Sequence, residues 1–270
     1  MRLAIYQGPP SVAAGRPPAA VRDDYLDAIG AIAESATADL LVCPEMSATG
    51  YNIGSAAVAQ LAEAPDGAIF VRLSEIARRH GIAIVYGYPE RGAAGVYNAL
   101  RAIGRDGAAL ADYRKCHLFG DLDRGLFLPG DEPVVQFSLG DWRIGLLTCY
   151  DVEFPEAVRA HALAGTDLLV VPTGLMEPFG TVATLLVPAR ALESQLFVAY
   201  ANRTGIEAGL EYCGASCVVG PDGRDVVRAG KDEQIVYAEL DRAVLLTSRA
   251  ENPYLVDRRP ELYRSIAGQS

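Results

Sequence analysis

Two stretches, Asp39-Leu40-Leu41-Val42-Cys43-Pro44 and Asp167-Leu168-Leu169-Val170-Val171-Pro172, decide how this chain is read. Each is a short, continuously apolar run, the pattern of a strand buried on both faces. Outward from the first, residues 3–7 read as a strand. Residues 19–35 read as a helix with Val21, Tyr25, Ile29 and Ile32 on one face, at spacings of three and four. Downstream, 70–80 is a helix stopped by Gly81, and 82–88 is the next strand. Residues 97–103 and 108–115 then flank Arg105-Asp106-Gly107, a hairpin turn signal. The second stretch sits in the same order: strand 142–148, helix 155–163 opened by Pro155, strand 167–171, helix 182–194 and strand 196–201. Two strands around Gly220-Pro221-Asp222-Gly223 complete it.

Two βαβαββ halves, each a sheet covered by helices on one side, predict two sheets packed face to face. The expected fold is α/β, a four-layer α-β-β-α sandwich of two pseudo-symmetric halves forming a single domain over 1–270. The spacing between matching points differs along the chain, so any duplication carries insertions and deletions. From about Arg242 the sequence loses clear period, and 242–270 reads as a C-terminal tail lying across something, such as a partner subunit.

Of the 270 residues 50% are hydrophobic and 21% charged, which argues for a globular chain over a disordered one. The formal charge of -10 and the absence of a Lys/Arg run exclude an ordinary nucleic-acid binder. No apolar run approaches the ~20 residues of a spanning helix. The N-terminus enters its first strand with no signal peptide, and five irregularly spaced cysteines fit reduced thiols, so a cytoplasmic location is expected. Cys213 and Cys217 lack the His-rich partner segment of a zinc site, and no metal or cofactor is expected. Only His80, His117 and His161 are available to a mechanism that needs an imidazole.

Side chains just past the C-terminal ends of strands point into the functional crevice of α/β folds. Three distinctive residues occupy such ends: Glu45, Lys115 and Cys149. Individually they read as a solvated acid, an edge charge and a core thiol. Together they make coherent chemistry. Glu45 takes the thiol proton and later delivers it to a leaving amine, and Lys115 offsets charge on a carbonyl oxygen and lowers the thiol pKa. Pro155 starts a helix beside Cys149, whose neighbouring N–H groups favour a thiolate and an oxyanion.

Cys43-Pro44-Glu45, Tyr113-Arg114-Lys115-Cys116-His117-Leu118-Phe119 and Cys149-Tyr150-Asp151-Val152-Glu153-Phe154-Pro155-Glu156 resemble the three signatures of the nitrilase superfamily, the carbon–nitrogen hydrolases. The resemblance implies a Glu-Lys-Cys triad and a homodimer or larger homo-oligomer. It makes Glu45 the general base and acid, Lys115 the oxyanion stabiliser and Cys149 the nucleophile, with the Tyr150 N–H as second oxyanion donor. Relatives usually carry a second Glu after the lysine motif; here Asp123 falls there, with Asp121 as the alternative. Where many relatives have Arg, this chain has Glu153, which meets either a cationic substrate group or a structural salt bridge. Tyr51 and Thr173 are further expected pocket residues. The stretches around Thr49-Gly50-Tyr51-Asn52 and Glu211-Tyr212-Cys213-Gly214 look most like the 5-aminopentanamidase and (R)-stereoselective amidase subgroup. The implied activity is hydrolysis of a small aliphatic or amino-substituted amide, such as 5-aminopentanamide, through a cysteine thioester. A nitrilase or N-carbamoyl-amine hydrolase on the same triad is the alternative, and a non-catalytic α/β binding subunit the remote one.

Overall fold

The computed structural model describes residues 1–11 and 15–267. The first half runs β1 (Arg2–Gln7), α1 (Pro18–Ser35), β2 (Leu40–Val42), α2 (Ser55–Leu61), α3 (Ala68–His80), β3 (Ala83–Arg91), β4 (Val96–Ile103), β5 (Ala109–Arg114) and α4 (Gly120–Arg124). The second begins with β6 (Val135–Leu139), β7 (Trp142–Leu146), a tight 3-10 turn at Cys149–Glu153, α5 (Pro155–Leu163) and β8 (Leu168–Pro172). A wider π-type turn at Val182–Leu186 leads into α6 (Val187–Ser194) and β9 (Phe197–Ala201). The short pair β10 (Ile206–Glu207) and β11 (Leu210–Glu211) follows, then β12 (Cys217–Val219), β13 (Asp225–Arg228), β14 (Gln234–Glu239) and α7 (Arg242–Glu251).

The two large sheets have the same topology. One is ordered β14-β1-β2-β3-β4-β5 and the other β6-β7-β8-β9-β12-β13, read in matching directions. In each, three central strands are parallel and the flanking pairings antiparallel. The layers follow from alternation along the strands. Leu3, Ile5, Leu40, Val42 and Val85 share one core with residues of the second sheet. Ala4, Leu41, Ile84 and Tyr86 point the other way, against Leu26, Ile29, Leu73 and Ala77 of α1 and α3. Each Leu or Val so buried contributes about 1.5–3 kcal/mol relative to exposure, which is why the runs tolerate no polar residue.

Local signals place the helix ends. Pro18 and Pro155 open α1 and α5, where a missing N–H is harmless. Gly81 closes α3 in the left-handed region at φ 64, its N–H bonded to Ala77.

Besides the short pair β10 and β11, two strands of the large sheets escaped the pattern. β6 is an edge strand ahead of β7, and β14 lies antiparallel to β1 with Leu3 opposite Ala238. The end of the chain therefore completes the sheet of the first half. The first part of the tail is ordered as a helix. Residues 242–251 form α7, capped by the Asp241 carboxylate on the Ala243 N–H, and Leu245 is fully buried. Arg249 donates to the Thr166 carbonyl at 3.0 Å and the Gln195 carbonyl at 3.1 Å, so this segment docks on its own chain. A single buried residue on the helix explains why no period was legible. The last three positions of the expected tail lie outside the described residues. Among the described residues no helix is long and apolar enough to cross a membrane.

Candidate active site

Glu45, Lys115 and Cys149 each sit just past a strand, on β2, β5 and β7 respectively. The fold brings the first two into direct contact. Lys115 Nζ donates to Glu45 Oε1 at 2.8 Å and to Asp123 Oδ2 at 2.6 Å, and all three side chains are fully buried. An ammonium has three N–H bonds, so one remains for a further acceptor. Asp123 is held from α4's side, accepting the Phe119 N–H at 2.9 Å and the Tyr51 hydroxyl at 2.7 Å. Asp121, by contrast, is exposed. The shorter acid therefore reaches the lysine because α4 starts immediately after the lysine loop.

Cys149 begins the 3-10 turn with φ 48, a left-handed conformation that a residue with a Cβ holds only under tertiary constraint. The residue borders an opening in the structure. Cys149 is 9% exposed and lines a narrow cleft with Tyr51, Phe119, Glu153, Leu175, Met176 and Phe179. The cleft volume is about 10 Å³, and Phe179, 44% exposed, stands at its rim. A larger cavity of about 590 Å³ lies between Tyr25, Thr49 and Glu207, and Glu45, Lys115 and Cys149 are not among its lining residues.

The electrostatics differ from expectation in one respect. Burial raises the Cys149 thiol above its ordinary value, Glu45 raises it further, and Lys115, the Thr173 hydroxyl and the Gly174 N–H only partly oppose this. The resting sulfur is a thiol, because desolvation outweighs the neighbouring cation. Burial likewise raises Glu45, against the pull of Lys115. Burial acts to lower Lys115, but Glu45 and then Tyr51, Cys149 and Asp123 leave it well above the usual lysine value. One ammonium thus faces two carboxylates. Gly174 stands between the reactive groups: a Cβ there would lie 3.3 Å from Glu45 Oε2. Thr173 occupies the place on β8 that Glu45 occupies on β2, and it bonds the Tyr200 hydroxyl at 3.1 Å.

Tyr150 follows the sulfur, its ring edge-on to Phe119 and Phe154. Glu153 makes no ion pair among the described residues. Arg190 beside it donates instead to the Val152 and Glu153 backbone carbonyls, at 3.1 and 2.6 Å. Burial raises the Glu153 carboxyl, against Arg190 and Lys115. Of the two roles expected for this acid, the salt bridge is therefore not formed. His117, the imidazole nearest the site in sequence, turns to Asp151 at 2.8 Å.

Four supporting residues were not singled out from the sequence. Asp151 accepts the Thr148 N–H, the Tyr113 hydroxyl and the His117 N–H, all within 3.1 Å. Its signal was an acid three residues after Thr148, the spacing of a capped helix start. Asn98 on β4 donates to Glu45 Oε1 at 2.7 Å; a lone amide in an apolar strand was its mark. Arg203, fully buried, donates to the Glu45 and Met46 carbonyls, at 3.0 and 2.6 Å. Glu207 accepts the Asn52 N–H at 2.8 Å and the Tyr212 hydroxyl at 2.5 Å. For these last two no local pattern existed.

Comparisons with known proteins give the family. A family model described as carbon–nitrogen hydrolase matches residues 2–249. The chain is 48% identical over 268 residues to the hydrolase in the pqqF 5' region of Pseudomonas protegens, covering 99% of this chain and 92% of that one. It is 40% identical to an (R)-stereoselective amidase of a Pseudomonas species, covering 82% and 80%. Among solved structures it resembles an amidase from Nesterenkonia sp., with a TM-score of 0.85 and 36% identity over 98% of this chain and 95% of that one. Variants of that amidase have been solved in complex with acrylamide and with the acetamide moiety of fluoroacetamide added covalently at the active-site cysteine. The chain belongs to the carbon–nitrogen hydrolase family, within the nitrilase superfamily.

Proposed function

We propose that this protein is an amidase that hydrolyses small aliphatic amides to a carboxylic acid and ammonia through a thioester on Cys149. The observation that carries the reading is the buried Glu45–Lys115–Asp123 cluster, with the charges of Glu45 and Lys115 acting on Cys149, which lines a narrow cleft. A raised thiol pKa demands a base at the moment of attack, and Glu45 is the acid placed to serve. Glu45 takes the thiol proton as sulfur bonds to the amide carbon. The oxyanion rests on the third N–H of Lys115 and the Tyr150 N–H. Collapse breaks the C–N bond, Glu45 protonates the nitrogen, and ammonia leaves. Water, deprotonated by Glu45, then attacks the thioester, and the thiol recovers the proton as the acid departs.

The cleft favours a short acyl chain, and the unpaired Glu153 at its wall favours an ammonium on the far end of it, as in 5-aminopentanamide. The side chains Val256 and Leu262, 82% and 57% exposed, support pairing with a second copy, to be read from the solution mass.

Ammonia release is measured over short amides with and without a terminal amine, beside a nitrile and an N-carbamoyl amine. Turnover of amides alone, lost in Cys149→Ala, is the expected result. Full activity in that variant, or an acyl adduct found only on another cysteine by intact mass, ends the reading. Equal rates with and without the amine remove Glu153 from it.

A further inference from the structure

The two oxygens of Glu45 have opposite surroundings. Oε1 accepts from Lys115 Nζ at 2.8 Å and from Asn98 Nδ2 at 2.7 Å. Oε2, on the Gly174 side, has no hydrogen-bond partner among the described residues although it is buried. We infer that Asn98 is a positioning residue that dedicates Oε1 to anchoring and leaves Oε2 as the atom that carries the proton. The inference rests on the amidase reading for what the proton is used for, but the division of labour is a property of the site itself.

Three observations converge on Asn98. It is fully buried in β4, and its own carbonyl accepts the Lys115 backbone N–H at 2.8 Å, so one residue fixes both the lysine's strand and the acid's carboxylate. Its amide orientation is forced, because only Nδ2 can face a carboxylate oxygen. Its Oδ1 has no partner among the described residues, which disfavours folding. An apolar residue would fill the strand without that penalty, so Asn98 is better explained by the bond it makes to Glu45. With two donors on Oε1, negative charge concentrates there in a fixed place. The lone pairs of Oε2 stay uncommitted and face the side where Gly174 meets the sulfur.

The charged and titratable groups around Glu45 are Lys115 after β5, Asp123 on α4, Tyr51 in the 49–53 turn, Cys149 after β7, Arg203 after β9 on the Glu45 carbonyl, and Tyr212 beyond β11. None of these contacts is removed by changing Asn98. Removing the Asn98 N–H makes the ionised carboxylate less favourable, so the pH below which Glu45 holds its proton moves up.

Two pH profiles test this: kcat/KM for a short amide, and the rate of Cys149 alkylation by iodoacetamide. In Asn98→Ala the acid limb of both moves up by about one pH unit, and kcat falls about 10- to 100-fold with KM within about threefold. Asn98→Asp, nearly isosteric, moves the limb further in the same direction because a second carboxyl replaces a donor. Acid limbs coinciding with the parent's in both variants, with kcat within about twofold, overturn the inference. If Asn98→Ala does not fold, Asn98→Asp decides by the same criterion. A parent protein that hydrolyses no amide defeats the amidase reading instead, and the alkylation profile still decides the role of Asn98.

Discussion

The Tyr113 hydroxyl donates to Asp151 Oδ2 at 2.8 Å, tying the strand that leads to Lys115 to the turn that starts at Cys149. The same carboxylate takes the His117 N–H and imidazole, so two segments far apart in the chain hinge on one buried acid. This bond joins the backbone carrying the proposed nucleophile to that carrying the proposed oxyanion donor.

Removing the acid therefore misaligns the site without touching it. Asp151→Ala leaves several donors unpaired and is expected to destabilise the fold by about 2–4 kcal/mol, while Tyr113→Phe loses about 1 kcal/mol. Urea unfolding gives the stability and turnover the alignment. Unchanged kcat in a folded Asp151→Ala protein would sink the idea.

Lys115→Met leaves Glu45 and Asp123 buried with no counter-ion. A loss of about 3–5 kcal/mol is expected, with activity down by at least about a thousandfold. The lysine also has a pH signature. Its folded pKa lies above the usual 10.5, so its contribution is complete below that pH and is lost as pH rises through the folded value. Thermal unfolding of parent and variant should converge only in strong alkali; convergence near neutrality would contradict the pairing.

His161 is expected to make the fold acid-sensitive. Burial lowers it from 6.5 to about 4. Between those values the unfolded chain binds a proton that the folded one refuses, so stability is full above pH 6.5 and drains as pH falls toward 4. A shift of that size is worth roughly 3 kcal/mol as an upper bound. His161→Gln should flatten the midpoint-versus-pH curve in this window, and an unaltered slope would place the acid sensitivity elsewhere. Gly145 admits the ring, since a Cβ there would stand 2.4 Å from His161 Nδ1.

Gly87→Ala should injure the site from behind. A Cβ at this position in β3 would lie 2.4 Å from the Met46 backbone nitrogen, with no flexible side chain to yield. Met46 already sits at φ 52 in the turn after Glu45, and Ala48 N–H bonds to the Gly87 carbonyl. A loss of about 1–3 kcal/mol with a fall in kcat is expected, measured by thermal unfolding and ammonia release. Parent-like values of both would show that the turn can shift freely.

Much of this was legible before any coordinates. The paired apolar runs gave the order of the parallel strands, since burial on both faces leaves a mark that needs no partner to read. Edge strands β6 and β14 are half-exposed and carry no such mark. The same distinction separates the site's members. Glu45, Lys115 and Cys149 announce themselves by residue type at strand ends, as does the turn-starting Pro155. Asn98 and Arg203 reach Glu45 from 53 and 158 positions away and Glu207 reaches Asn52 from 155, and nothing local records such partners.

The residue types thus determined which chemistry the chain is equipped for and on what layered framework it sits. The tertiary structure decided which of two aspartates meets the lysine, which carboxylate oxygen is left uncommitted, and that the sulfur rests as a thiol. Those outcomes depend on burial and on distances of a few ångströms between segments remote in sequence. Desolvation and charge pairing exist only once such segments have been brought together.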